Sequence, residues 1–193
     1  MYEFIRGTIA GLNPTSVIID VNGIGFFVNV SVNTYSKLNG KKEIQLLIHQ
    51  VVREDAQILY GFAEKQERDL FRHLISVSGV GAGTTMMMLS SLSPDEITVA
   101  ITTGDADVLK AVKGIGAKTA QRIIIDLRDK LGKLPDSGQL FISSNNTLRN
   151  EALSALVMLG FAKKEADKVV STVIKDSPEA TVEHVIKTAL KRL

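Results

Sequence analysis

The sequence has no cysteine and no tryptophan, and only four prolines and three histidines in 193 residues. Without cysteine there is no disulfide framework, no thiolate nucleophile and no cysteine-ligated zinc or iron-sulfur centre. The histidines, His49, His73 and His184, are far apart in sequence and suggest no metal site. A surplus of one charge sign is also missing, since 23 basic against 21 acidic side chains leave +2. The signs balance within residues 1–62 and again within 63–132, so a nucleic-acid partner would have to be held by placed groups instead of bulk charge. The longest uncharged stretch, between Arg72 and Asp95, is interrupted by serine, threonine and glycine and makes a poor membrane span. Met1 to Ala10 carries Glu3 and Arg6 among alternating apolar residues, unlike the basic-then-apolar layout of a signal peptide, so the expected location is cytoplasmic with no membrane partner.

What is present is an ordinary globular balance, 45% hydrophobic and 23% charged, in a chain long enough for one or two domains or several small modules. Residues 1–62 read as five strands: Tyr2 to Ile9, Ser16 to Val21, Phe26 to Val32, Glu43 to Val52 and Gln57 to Phe62. Turn residues separate them at Gly11–Pro14, Asn22–Gly23, Asn39–Gly40 and Arg53–Ala56. Five short strands in so few residues suit an OB-fold barrel.

From Ala63 the period becomes helical, with Leu70, Phe71, Leu74 and Ile75 on one face. The charged run Glu64 to Asp69 before them reads as the solvated first turns of that helix. Ser93-Pro94-Asp95-Glu96 has the serine cap, first-position proline and third-position glutamate of a helix start. The helical segment 63–132 ends in a stretch rich in proline, glycine, serine and asparagine, 133–146, which reads as a flexible linker with one apolar exception, Leu140-Phe141-Ile142. Residues 147–193 show three amphipathic patterns, Leu148 to Leu159, Lys163 to Ile174 and Pro178 to Leu190, the last capped at Ser177-Pro178, so a three-helix bundle is expected. The fold class is therefore multi-domain, β then α.

Two segments repeat at a spacing of 35 residues: Val77-Ser78-Gly79-Val80-Gly81-Ala82 and Val112-Lys113-Gly114-Ile115-Gly116-Ala117. Each follows an apolar helical stretch and opens another. Glycine permits a positive φ and a close approach, and the unpaired amides opening a helix carry partial positive charge, so each hairpin offers a phosphate a place to bind. Lys118 and Arg122 on the second helix add cations, and Thr119 opens the same helix. A single glycine pair can also be a plain helix connection, as Gly23-Ile24-Gly25 shows with the same pattern between strands, but two copies in similar contexts weigh against that reading. Neither a dinucleotide fingerprint nor a Walker loop fits: Thr84 and Thr119 stand where the former needs glycine or alanine, and Ala117 separates Gly116 from Lys118. No cofactor site is read from the sequence.

These hairpins resemble the helix-hairpin-helix family of DNA-binding modules. The whole chain resembles the RuvA family of Holliday-junction-binding subunits, most specifically in Val51-Val52-Arg53-Glu54-Asp55-Ala56-Gln57-Ile58-Leu59-Tyr60-Gly61-Phe62, then Lys65-Gln66-Glu67-Arg68 and Leu70-Phe71, with both hairpins following. The resemblance implies an OB-like domain that builds a homotetramer, a tandem helix-hairpin-helix domain on four-way junction DNA, and a C-terminal bundle that binds the RuvB ATPase. It leaves open a second tetramer on the junction and the RuvC resolvase as a further partner. It makes Gly79, Val80, Gly81, Gly114, Ile115, Gly116, Lys118, Thr119 and Arg122 DNA-binding residues, Glu54 and Asp55 an acidic pin at the crossover, and Leu159 and Phe161 partner-binding residues around Gly160. By composition alone, Glu54-Asp55 is a solvated hairpin tip, and Leu159 and Phe161 can as well fill the bundle core. One departure is notable: the family commonly has proline and lysine where Ala82 and Gly83 stand, so the first hairpin lacks a charged group for phosphate and is weaker or compensated elsewhere. The implied protein is a non-catalytic subunit of an ATP-dependent helicase complex. Other classes stay open: a general duplex-binding repair subunit, a structure-specific nuclease or glycosylase, which needs a catalytic cluster the sequence does not display, and a protein-only scaffold.

Overall fold

A computed structural model describes residues 2–132, 144–177 and 179–193, with backbone only for 144–147. It separates into two compact units, Met1–Leu134 and Pro135–Leu193. The first begins with β1 (Phe4–Asn13), β2 (Ser16–Val21), β3 (Ile24–Val30), α1 (Val32–Leu38), β4 (Glu43–Val52) and β5 (Gln57–Phe62). The strands close a barrel in the order β1-β2-β3-β5-β4, antiparallel except for β3 beside β5, as expected of an OB fold. Alternation fills it: Ile5, Val17, Ile19, Val28, Val30, Ile44, Leu46 and Ile48 point inward and are buried.

Local expectations for this unit need correction. Strand β1 runs on through Gly11 and Asn13, because a register shift between Ile9 and Gly11 absorbs the glycine within the strand and moves the turn to Pro14-Thr15. The third strand runs from Ile24 to Val30, not from Phe26 to Val32: Ile24 and Gly25 pair with Val21 and Asp20 directly after the Asn22-Gly23 turn, and at the other end the Ser31 side chain accepts from the Thr34 amide and starts α1, a helix the alternation did not indicate. The charged run Glu64 to Asp69 is not uniformly solvated: Glu67 and Arg68 are buried, at 1% and 4% exposure.

That burial is what joins barrel to helices. On the outer face of β4 and β5, His49 pairs with Tyr60 and Leu47 with Phe62; α2 (Lys65–Ile75) lies across this face through Leu70, Phe71 and Leu74. Tyr60 and Phe62 both pack at a tilt against Phe71, with ring centroids 5.2 and 5.0 Å away. Helices α3 (Ala82–Ser91), α4 (Pro94–Thr103), α5 (Ala106–Lys110) and α6 (Ala117–Leu131) complete one core with α2. The capping box at Ser93 and Glu96 forms as the sequence indicates.

The second unit holds α7 (Ser144–Met158), α8 (Lys163–Asp176) and α9 (Val182–Leu190), packed around Ala152, Leu156, Ala166, Val170, Val173, Val185 and Ala189. Helix α9 starts later than expected, because Thr181, not Ser177, supplies the cap by accepting from the His184 amide. Pro178 lies outside the described residues, as do residues 133–143 of the expected linker 133–146, Leu140-Phe141-Ile142 among them; the last three linker residues, 144–146, open α7. Among the described residues, no helix is long and apolar enough to cross a membrane.

Candidate nucleic-acid interface

The two hairpins match in their bonding as well as their spelling. Gly79 and Gly114 have φ of 88° and 92°, the left-handed region in which a side chain is strained. Behind them Val80 donates its amide to Val77 at 3.0 Å and Ile115 donates to Val112 at 3.1 Å. Then Gly81 (φ −88°, ψ 165°) caps α3 and Gly116 (φ −84°, ψ 169°) caps α6. The first helical bonds run from Thr85 to the Gly81 carbonyl at 3.0 Å and from Ala120 to the Gly116 carbonyl at 2.9 Å. Neither helix start has a side-chain cap, so among the described residues the amides that precede those first bonds have no partner and are left to water or a ligand.

This geometry divides the candidate residues by role. Val80 and Ile115 are buried at 5% exposure, and their amides are spent within the hairpin. What they do is anchor the turn in the helical core. Gly81 and Gly116 are exposed and start the free amides, and an added Cβ at either would touch nothing within 4 Å of this chain. Lys118 and Arg122 are exposed on α6 and one turn apart, while Thr119 is half-buried. In the first hairpin the Thr85 residue is buried and its hydroxyl donates to the Gly81 carbonyl at 3.0 Å, so it is not available to a phosphate.

Two further features were not part of the candidate site read from the sequence. Arg122 reaches across from α6 and donates through Nη1 to the Ser78 carbonyl of the first hairpin at 3.2 Å, bringing the two hairpins together. Lys113, exposed immediately before Gly114, gives the second hairpin a further cation where the first has Ser78. The aligned repeats showed the second of these, but no local signal showed the first.

At the far end of β4 and β5 the connection is pinched by the Arg53 amide donating to the Ala56 carbonyl at 2.8 Å. Glu54 and Asp55 stand exposed on its tip. The Gln50 and Gln57 side chains are bonded at 3.1 Å on the strands behind. In the second unit, Gly160 at φ 98° ends α7 with its amide on Val157 (3.0 Å) and that of Phe161 on Leu156 (3.1 Å), a Schellman closure. It turns Phe161 toward the bundle core and leaves Leu159 61% exposed beside Met158 at 87%.

Residues 1–61 match the RuvA N terminal domain family, 71–129 the SAM-like helix-hairpin-helix tandem, and 147–193 the RuvA C-terminal domain. Among curated proteins, the chain is 50% identical to one from Bacteroides thetaiotaomicron, 50% to one from Christiangramia forsetii and 51% to one from Bacteroides fragilis. Each alignment covers 100% of both chains, and all three proteins are named Holliday junction branch migration complex subunit RuvA.

Proposed function

The chain belongs to the RuvA family, and from that premise we propose that it binds Holliday junctions as a subunit of a branch-migration complex acting in recombination and repair. The observation that carries this reading is the pair of matched hairpins, each ending in an uncapped helix start. Amides and lysines of this kind hold phosphates of both strands without reading bases, which suits a protein that must accept any sequence as the crossover moves.

Four copies around an axis would gather Glu54 and Asp55 at the crossover, where carboxylates repel phosphates and guide the separated strands into the arms. At about 4 Å one such pair costs roughly 1 kcal/mol even at the dielectric of water, so several bias a strand's path. The chain itself does no chemistry in this account. An ATPase partner, RuvB, supplies the work and is recruited through the C-terminal bundle near Leu159 and Phe161, with the tether raising its effective concentration.

The test is competition between a synthetic four-way junction and linear duplex of the same sequence, at one salt concentration, for the full chain. The junction should win by about tenfold or more, a margin of about 1.4 kcal/mol, and E54Q/D55Q should narrow it while leaving duplex affinity equal or higher. Equal affinity for both DNAs would reduce the protein to a general duplex binder, and binding to neither would end the proposal.

A further inference from the structure

The two hairpins are alike in backbone and opposite in charge supply. From Leu74 to Pro94, a span containing all of the first hairpin and all of α3, no side chain is charged. The second hairpin has Lys110, Lys113, Lys118 and Arg122 along its length. A pair of matched phosphate cradles would therefore hold the two strands unequally, unless a cation reaches the first from elsewhere.

One does. Arg122 donates through Nη1 to the Ser78 carbonyl at 3.2 Å, one residue before the positive-φ Gly79. The side chain is exposed, and among the described residues its guanidinium makes no other hydrogen bond and no ion pair. A guanidinium has five N–H donors in a rigid plane, so one bond to Ser78 fixes its position and leaves the others open to solvent.

We propose that Arg122, although carried by the helix of the second hairpin, is the phosphate-binding cation of the first. The Ser78 carbonyl holds the guanidinium beside the first hairpin, where it supplements the amides opening α3. Lys118, four residues earlier on the same helix, serves the second hairpin alone. The inference rests on the DNA-binding reading above and adds to it a specific division of labour. Arg122 also ties the hairpins into one unit, so that their spacing is set by a side chain as well as by the core.

Gly83 offers a direct test, because an added Cβ there meets nothing within 4 Å and its φ is not in the left-handed region. Lysine at that position restores a cation from within the first hairpin itself. Binding of the full-length chain to an immobile four-way junction is measured over a salt series for wild type, R122Q, R122K, K118A, G83K, R122Q/G83K and K118A/G83K, with circular-dichroism melts to verify folding. R122Q and K118A should each weaken binding about tenfold and reduce the salt slope by about 0.9 for every phosphate that is no longer neutralised. G83K should restore most of the affinity and slope to R122Q and little to K118A. R122K, which keeps the charge but not the fork, should fall between wild type and R122Q. Equal gains from G83K in the two backgrounds would overturn the assignment, because the added lysine would then be acting as bulk charge. An inert R122Q beside a weakened K118A would overturn it while leaving DNA binding intact. If neither R122Q nor K118A changes binding, the DNA-binding reading of these hairpins falls as well.

Discussion

The Thr34 hydroxyl donates to the Glu67 carboxylate at 2.6 Å across the seam between barrel and helices. Ser31, the cap of α1, donates to the other carboxylate oxygen, and the Ala63 amide donates to the Thr34 hydroxyl at 3.0 Å. One buried acid thus fixes α1, the exit from β5 and the first turn of α2 to one another. Since β5 carries one side of the hairpin tip and α2 leads into the first glycine turn, this network sets where Glu54-Asp55 stands relative to the hairpins.

Burial pushes the Glu67 carboxyl above its ordinary value of 4.5, and the hydroxyl bonds and Lys37 only partly offset it. A carboxyl raised in the folded state contributes stability that is complete below the unfolded value and lost as pH rises through the folded one. The stability advantage of wild type over E67Q should therefore shrink as pH is raised from about 4 toward about 7. E67A, which strands two buried hydroxyls, should cost about 3 kcal/mol. Urea unfolding of both variants across this pH range checks both statements, and a wild-type advantage that grows with pH would contradict the first.

His49 gives the opposite slope. It stacks on Phe71 with centroids 5.3 Å apart, and burial, then Arg72, then Arg68 hold its imidazole below the ordinary value of 6.5. Stability tied to this neutral ring is present above about 6.5 and lost as pH falls through the depressed folded value. H49F should flatten the acid side of the stability profile while changing little above about pH 7. Thermal melts of wild type and H49F at matched pH between about 5 and 8 separate this effect from that of Glu67, whose sign is reversed.

The hairpin glycines should split into two classes. Gly79 and Gly114 sit at positive φ, so alanine there should cost about 1–2 kcal/mol and lower the melting temperature. Gly81 and Gly116 have φ that alanine adopts freely, with open space around the added methyl. G81A and G116A should cost less, about 0.5–1 kcal/mol for the poorer N-cap, yet bind junction DNA more weakly, because the methyl stands where phosphate must approach the amides. A folded G81A variant that binds normally would show that the backbone there does not meet DNA.

What the sequence made readable follows from how local each signal is. The ends of β2, β4 and β5 fall where alternation and turn residues put them, and the Asn22-Gly23 hairpin turn has both residues at positive φ as that dipeptide favours. The glycine hairpins announced themselves by repetition. Helix α1 did not, since Val32, Thr34 and Tyr35 look like strand residues and only Ser31 marks a start. Glu67 and Arg68 looked solvated because their partners, Ser31, Thr34 and Glu3, lie dozens of residues upstream. The Arg122–Ser78 bond likewise joins residues 44 apart. Pairings of that range are properties of the folded chain, and no period or motif encodes them.

The turn after α7 is where the alternatives of core filler and partner-binding group can be told apart residue by residue. Phe161 packs against the bundle core, held there by its amide on Leu156, whereas Leu159 and Met158 are turned outward. F161A should therefore destabilise the bundle by about 2 kcal/mol, less than a fully buried phenylalanine because the ring is only partly covered. L159A and M158A should leave its melting temperature unchanged. If this turn recruits the ATPase, L159A and M158A should nevertheless weaken capture of RuvB on a junction and slow branch migration without altering junction affinity. F161A measured below its melting temperature provides the contrast: loss of recruitment in F161A alone would mean that the partner reads the shape of the bundle, while loss in L159A and M158A would place the interaction on these exposed side chains.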